Sequence, residues 1–198
     1  MKNRKPLLIF CTGAVLYAVF LLRGNYTNKV IFTGDEWDYQ SIGVNYQYGH
    51  GFLTTGPVEG FDVYKLDSLD DGRIRFWENF SGKKAYHRGP FYPAFACLFY
   101  KLFGINPIII KYFQLLILIV SGSLLPIIGR LAWGEKGFYF GLAGFIIFVF
   151  LNHRFSEHLM PENWQFLFLS LIIICLFYHH RGSKLHSALL GILLDYPC

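Results

Sequence analysis

Four long apolar runs set the strictest limit on what this chain can fold into. We expect membrane-spanning helices at about 7–22, 107–129, 131–151 and 163–178, and part of a fifth at 186–198. An α-helix needs about 20 mostly apolar residues to cross the hydrocarbon layer of a bilayer, and these runs are close to that length. They predict an all-α polytopic membrane protein that sits in a lipid bilayer.

The composition also favours membrane insertion. Hydrophobic residues make up 54% of the 198 residues and charged residues only 16%, whereas a soluble domain carries about a quarter charged residues. Aromatic residues reach 19%, and such rings often lie at the two water–lipid interfaces. The net charge of +5 does not indicate a nucleic-acid partner, because most basic residues flank apolar runs and form no stripe with aromatic residues.

The first run has two interpretations. A basic start followed by an apolar core is the pattern of a signal peptide as well as of a membrane anchor. No small-x-small cleavage site follows Leu22, since Arg23, Gly24 and Asn25 come next. We therefore favour an uncleaved anchor.

Basic residues beside the apolar runs predict the orientation of the chain. If the N-terminus is cytoplasmic, the basic flanks fall on the cytoplasmic side and only Arg154 lies in a short outer loop. These flanking residues are Lys2, Arg4, Lys5, Arg130, Lys136, Arg181 and Lys184. We expect an integral protein of a bacterial inner or plasma membrane, rather than of the endoplasmic reticulum, with the loops at 23–106 and 152–162 facing outward.

The long outer loop is too rich in apolar and aromatic residues for a plain connector. The segment 38–52 predicts a short surface helix in which Tyr39, Ile42 and Tyr46 share one face. A second interfacial helix is expected at 88–104, entered through two prolines. Between them, Asp71-Gly72 is typical of the turn of a small β-hairpin.

Two acidic sites far apart in sequence are predicted to lie on the outer side. One is Asp35-Glu36 after the first run, and the other is Glu162 at the start of the fourth, whereas we expect Asp38 to be solvated. A carboxylate held near a substrate hydroxyl can act as a general base. Cationic side chains near these acids could bind an anionic donor, since phosphate oxygens favour such contacts. The candidates are Arg88, Lys111, His153, Arg154 and His158.

Each of these residues also has a structural interpretation. Asp35 could cap the following helix, and Glu162 after Pro161 is a common helix start with a carboxylate at the positive end. Arg88 could be solvated. His153 and His158 are five residues apart, which does not match the i, i+4 spacing of a zinc pair, and no C-x-x-C motif occurs. We therefore predict no metal site of the zinc type.

The order of the short motifs carries further information. G-D-E-W-D-Y at 34–39 is followed by G-H-G-F at 49–52, R-G-P-F-Y-P at 88–93 and P-E-N at 161–163. In this order the sequence resembles the GT-C superfamily of membrane glycosyltransferases. It is most similar to the protein O-mannosyltransferases of glycosyltransferase family 39 and their bacterial relatives, which include aminoarabinose transferases. The resemblance covers nearly the whole chain.

This resemblance implies a chemistry and a set of roles. The expected donor is a polyprenyl-phosphate-linked sugar such as mannose, and the acceptor is a hydroxyl on a protein, a lipid or a polysaccharide. Transfer would be inverting, on the outer face of a GT-C-like helix bundle. Asp35 matches the proposed base with Glu36 in support, Glu162 matches a second acid, and Tyr39 and Arg88 match motif residues. No cofactor is required, although a divalent cation near the acids is an open alternative.

The sequence also departs from the family. Family members are typically much longer and have more spans, and the acidic and proline residues at 195–197 do not look like a finished membrane helix. We therefore expect an N-terminal part of a GT-C-like domain whose activity alone is an open question. The alternatives are a multi-span transporter or channel subunit and a non-catalytic scaffold or remnant.

Overall fold

The computed structural model describes a mostly helical chain. It covers residues 4–22, 31–32, 35–54, 64–65, 83–84, 89–157, 159 and 161–180, and for a few of these, such as Asp35 and Trp37, only the backbone is described. The helices are α1 (Lys5–Leu22), α2 (Asp35–Gln47), α3 (Phe91–Phe103), α4 (Pro107–Ser123), α5 (Leu125–Glu157) and α6 (Glu162–His180). The strands are β1 (Ile31–Phe32), β2 (Leu53–Thr54), β3 (Tyr64–Lys65) and β4 (Lys83–Lys84).

Three helical stretches in the described part of the chain are long and apolar enough to cross a membrane. They are Lys5–Leu22, Pro107–Ser156 and Glu162–His179. In α1, large apolar side chains such as Phe10 (73% exposed) and Leu22 (86% exposed) point away from the protein. A lipid environment accommodates apolar side chains at this density on an outer surface, whereas water does not.

The middle stretch contains a sharp reversal within α5. Trp133 and Gly134 leave helical geometry, and Gly134 has φ 66° and ψ −143°, a conformation open mainly to glycine. A Cβ atom at Gly137 would meet the backbone carbonyl of Gly129, and one at Gly141 would meet that of Leu125. Both pairs are centred on Trp133, so the chain before the bend and the chain after it run side by side as an antiparallel hairpin.

This hairpin confirms two helices at the positions of the second and third apolar runs and corrects their boundaries. The reversal lies at Trp133–Gly134, not at Arg130. The helix after the bend continues to Glu157, so most of the loop predicted at 152–162 is helical. Polar residues 152–154 caused the early end in the prediction, although a helix can carry them in its last turn. The partial span at 186–198 lies outside the described residues.

The chain divides into two compact units. The first comprises Met1–Asn25, Gln114–Ser156 and Pro161–Cys198, and the second comprises Tyr26–Phe113 and Glu157–Met160. In the first unit, the core consists of apolar side chains from four helices: Leu16, Phe20, Leu115, Leu118, Phe145, Val149 and Cys175. A Cβ atom at Gly13 would lie 3.3 Å from Ile119 and 3.8 Å from Phe145, so α1 passes close to α4 and α5 there.

The second unit is built on α2 and α3, which pack against each other. Glycines with positive φ follow both helices, Gly49 (79°) after α2 and Gly104 (77°) after α3, a conformation that commonly ends a helix. Of the three residues predicted to share a face of α2, Ile42 is buried and Tyr46 is 37% exposed, and polar Gln40, Ser41 and Asn45 are also buried. The spacing of apolar residues did not predict that the buried side of this helix is partly polar.

Two short antiparallel pairings complete the second unit. Ile31–Phe32 pairs with Tyr64–Lys65, and Leu53–Thr54 pairs with Lys83–Lys84. The strand at Tyr64–Lys65 agrees with the first arm of the predicted β-hairpin. Its turn at Asp71-Gly72 and its second arm fall at 66–82, outside the described residues.

Candidate functional site

The predicted catalytic motif forms the start of α2. The helix begins at Asp35, and an acidic residue in the first turn of a helix is stabilised by the positive end of the helix dipole. Glu36 follows it and is fully buried. Gln40 lies four residues further on, one turn along the same face, and is also fully buried. This face of α2 is therefore polar and lies inside the second unit.

The structure brings the G-D-E-W-D-Y and R-G-P-F-Y-P motifs together. The rings of Tyr39 and Tyr92 meet edge to face with centroids 5.3 Å apart. A Cβ atom at Gly43 would lie 2.9 Å from the Cβ atom of Ala96 and 3.3 Å from the carbonyl oxygen of Pro93. The absence of a side chain at Gly43 therefore lets α2 and α3 approach at the end of the second motif.

A hydrogen-bonded cluster lies between α2 and α3. The hydroxyl of Tyr100 donates to Oε1 of Gln40, and Nε2 of Gln40 donates to the hydroxyl of Tyr92 at 3.4 Å. All three side chains are at most 2% exposed. Burial, with a smaller effect from Tyr92, raises the pKa of Tyr100 well above its usual value. Tyr100 is therefore a neutral hydrogen-bond donor at physiological pH.

The segment after α2 is fastened to the same helix. Nδ2 of Asn45 donates to the carbonyl oxygen of Leu53 at 2.7 Å, and the amide of His50 donates to the carbonyl oxygen of Asn45 at 2.9 Å. The G-H-G-F motif at 49–52 is thereby held beside the end of α2. The two glycines in it have positive φ, which the tight return of the chain requires.

Lys111 is a candidate cation in the second unit, and it is buried. Its side chain lies on α4 and is 4% exposed. A buried ammonium is costly unless compensating contacts surround it. Buried charged groups of this kind occur more often at sites that bind a carboxylate or a phosphate than elsewhere in a protein.

Glu162 and a buried polar network lie in the first unit. The α6 helix begins at Glu162, as the sequence predicted, and Oε2 of this residue is buried without a hydrogen-bond partner among the described residues. Next to it, Nδ2 of Asn163 lies 2.9 Å from Oε1 of Gln114 and 2.8 Å from Oγ of Ser156. The network links α4, α5 and α6 at the end of α6 that carries Glu162.

The predicted cations His153 and Arg154 lie in the last turns of α5, not in a loop. The ring of His153 stacks on Phe20 with centroids 4.9 Å apart, and its Nδ1 contacts the carbonyl oxygen of Phe150 at 2.8 Å. Because a carbonyl only accepts, Nδ1 carries the proton in this contact. Arg154 is exposed, where its charge complements the negative end of the helix.

The remaining predicted residues are described only in part. Arg88 and His158 lie outside the described residues, and Asp35 is described by its backbone alone. Glu36, Tyr39 and Lys111 belong to the second unit, whereas His153, Arg154 and Glu162 belong to the first. Among the described residues, no group of three or more His, Cys, Asp or Glu side chains could hold a metal ion.

Sequence reasoning missed the two buried polar clusters that involve the helices beginning at the acidic residues. Gln40, Tyr92 and Tyr100 were not singled out, although the spacing of Glu36 and Gln40 at i, i+4 indicates a shared helix face. Asn163 is the last residue of the P-E-N motif, and its spacing gives no sign of the partners it contacts. Gln114, a polar residue inside an apolar run, was the available signal for a buried network, because such residues seek partners between spans.

Comparison with protein-family models, with curated proteins and with solved structures finds no match to this chain.

Proposed function

We propose that this chain is a membrane glycosyltransferase of the GT-C type, or the N-terminal part of one. The observation that supports the proposal best is the contact between its two motifs, in which Tyr39 of G-D-E-W-D-Y meets Tyr92 of R-G-P-F-Y-P. These stretches are more than 50 residues apart in the chain, and either one alone would be a weak signal. Their contact is what a shared site requires.

In the proposed reaction, a polyprenyl-phosphate sugar such as mannose is the donor. The Asp35 carboxylate takes the proton of an acceptor hydroxyl, whose oxygen attacks the anomeric carbon. The bond between that carbon and the phosphate oxygen breaks with inversion, and polyprenyl phosphate leaves with the electron pair. Glu36 orients the start of α2 from its buried position, and Lys111 and Arg88 stabilise the charge on the leaving phosphate.

The proposal includes an orientation. The N-terminus is cytoplasmic, and the second unit, with α2 and α3, faces the outside of a bacterial inner or plasma membrane. The basic flanks of the apolar runs also predict that Glu162, the expected second acid, lies at the outer end of α6. The apolar helices that are long enough to span a bilayer support membrane insertion, and the basic flanks of the apolar runs support the direction.

A matched pair of substitutions in α2 tests the base. In membranes that contain the chain, we expect transfer of radiolabelled mannose from polyprenyl-phosphate mannose to a hydroxyl acceptor. Asp35→Asn should lower the transfer rate by about 100-fold or more, because general-base catalysis contributes about 10²–10⁴-fold. Asp38→Asn removes the same charge from the same helix and should leave the rate within about 2-fold.

Two results would contradict the proposal. Equal rates for wild type and Asp35→Asn, at equal amounts of folded protein, would exclude Asp35 as base. No transfer by the wild-type chain, together with substrate flux in proteoliposomes, would favour the transporter alternative, for which the buried polar network of Gln114, Ser156 and Asn163 is the relevant observation.

A further inference from the structure

An apolar groove runs between α1 and the α4–α5 region of the first unit. Its volume is about 480 Å³, within the range of about 300–1,000 Å³ that small-molecule sites occupy. Its walls include Ile9 and Ala14 of α1, Ile119 of α4 and Ile127 of α5. An apolar groove of this volume, on helices long and apolar enough to span a membrane, suits a hydrocarbon chain.

A second cavity adjoins the groove and is basic. It has a volume of about 490 Å³ and shares Pro6, Ile9 and Ile127 with the first as wall residues. Its walls also carry Lys5 and Arg130. The apolar groove therefore lies beside a pocket whose walls carry two positive charges.

Both cations already contact one anion. Lys5 forms an ion pair with Glu135, and Nε of Arg130 lies 3.6 Å from Oε1 of the same carboxylate. Nζ of Lys5 also lies 5.3 Å from the ring centroid of Phe138, another wall residue of the pocket. The side chain of Glu135 is 63% exposed, so its carboxylate is not a buried charge and can move away from the two cations into solvent.

We propose that this composite site binds one anionic glycerophospholipid, with an acyl chain in the groove and the phosphate between Lys5 and Arg130. The two positive charges complement a phosphate, and basic pockets between spans are a known form of lipid head-group site. The carboxylate of Glu135 occupies the position of the phosphate when no lipid is bound. An ion pair that only joined Lys5 of α1 to Glu135 at the bend in α5 would need no apolar groove beside it.

The site is separate from the proposed transferase chemistry. Lys5 and Arg130 belong to the basic flanks of the apolar runs, whereas Asp35 and Glu36 lie in the outer loop. The inference requires that the apolar helices lie in a bilayer, and it does not require sugar transfer. A failure of lipid binding would leave the transfer assay untouched, and the reverse also holds.

Binding of phosphatidylglycerol to the detergent-solubilised chain tests the proposal. Native mass spectrometry should detect one bound phosphatidylglycerol and much weaker binding of phosphatidylcholine. Arg130→Gln and Lys5→Gln should each weaken binding of phosphatidylglycerol about 5-fold, the contribution of one basic residue at a membrane surface. Lys136→Gln is the matched control, because Lys136 is an exposed basic residue at the same bend that does not line the pocket, and it should change binding by less than about 2-fold.

Two further variants separate the lipid site from a simple ion pair. Glu135→Gln removes the competing carboxylate and should tighten binding, whereas weaker binding would overturn the proposal. Ala14→Phe fills the groove from an exposed position and should weaken lipid binding without changing the charge. Equal binding of phosphatidylcholine, an equal effect of Lys136→Gln and Arg130→Gln, or inorganic phosphate competing as strongly as phosphatidylglycerol would also overturn it.

Discussion

Gln40 shows how a single polar side chain organises the second unit. Its amide oxygen accepts from Tyr100 and its amide nitrogen donates towards Tyr92, so one residue of α2 contacts two residues of α3 that lie about two turns apart. The sequence predicted both helices. It did not predict the buried polar face, because hydrophobic spacing identifies only apolar contacts, and hydrogen-bond partners 52 and 60 residues away leave no periodic signal.

At the residue scale, Tyr100→Phe should destabilise the chain by about 1–3 kcal/mol, since it leaves Oε1 of Gln40 buried without its donor. Tyr46→Phe makes the same chemical change at an exposed position of α2 and should have little effect. Thermal unfolding in detergent, followed by circular dichroism, measures both. An equal loss for the two variants would contradict a special role of the cluster.

The pH dependence provides a second measurement on the same variant. Because the pKa of Tyr100 is raised in the folded state, the folded chain keeps its proton at a pH at which the unfolded chain has lost it. Its stabilising effect is therefore complete below the ordinary tyrosine pKa of 10.0 and declines as the pH rises above that value. Between pH 9 and pH 11, about one unit on either side of that ordinary pKa, the free energy of unfolding should fall less for Tyr100→Phe than for wild type.

At the scale of elements, the reversal within α5 shows what apolar composition can and cannot predict. Two long apolar runs predicted two helices, and both are present. The turn was predicted at Arg130, the first charged residue, but it lies at Trp133–Gly134. The backbone requirement at Gly134 and the close approach of Gly129 and Gly137 set its position. A charged residue such as Arg130 indicates a region near a membrane surface, whereas a glycine such as Gly134 indicates the position of the bend itself.

The same close approach predicts the effect of adding a methyl group. Gly137→Ala should lower stability by about 1–3 kcal/mol, because its Cβ atom would meet the backbone of Gly129 and the helices must separate. Gly144→Ala is the matched control on the same helix, since a Cβ atom there meets no described atom within 4 Å. It should be neutral or stabilising by up to about 1 kcal/mol. Unfolding in SDS, followed by circular dichroism, measures the stability of both variants. Equal stability of the two variants would contradict this packing.

At the scale of the whole molecule, the sequence predicted the helical class and the approximate positions of the long apolar helices that the structure describes, but not the division into two units. The first unit combines α1 with helices beyond residue 114, while the chain between them forms most of the second. Periodicity is a local property and does not report which distant helices pack together. The sequence identified Glu36 and Glu162 as candidate catalytic acids. For the same reason, it did not predict that the side chain of Glu36 is fully buried.

Orientation is the property of the whole molecule on which the transfer chemistry depends. After replacement of the four native cysteines by alanine, His50→Cys and Lys136→Cys each introduce one exposed thiol. Because the basic flanks favour a cytoplasmic N-terminus, a membrane-impermeant maleimide should label His50→Cys in intact cells and Lys136→Cys only after permeabilisation. Labelling of both variants in permeabilised cells is the control for reactivity. Since His50 belongs to the same unit as Glu36, the reverse pattern would put the acidic start of α2 on the cytoplasmic side and exclude transfer on the outer face.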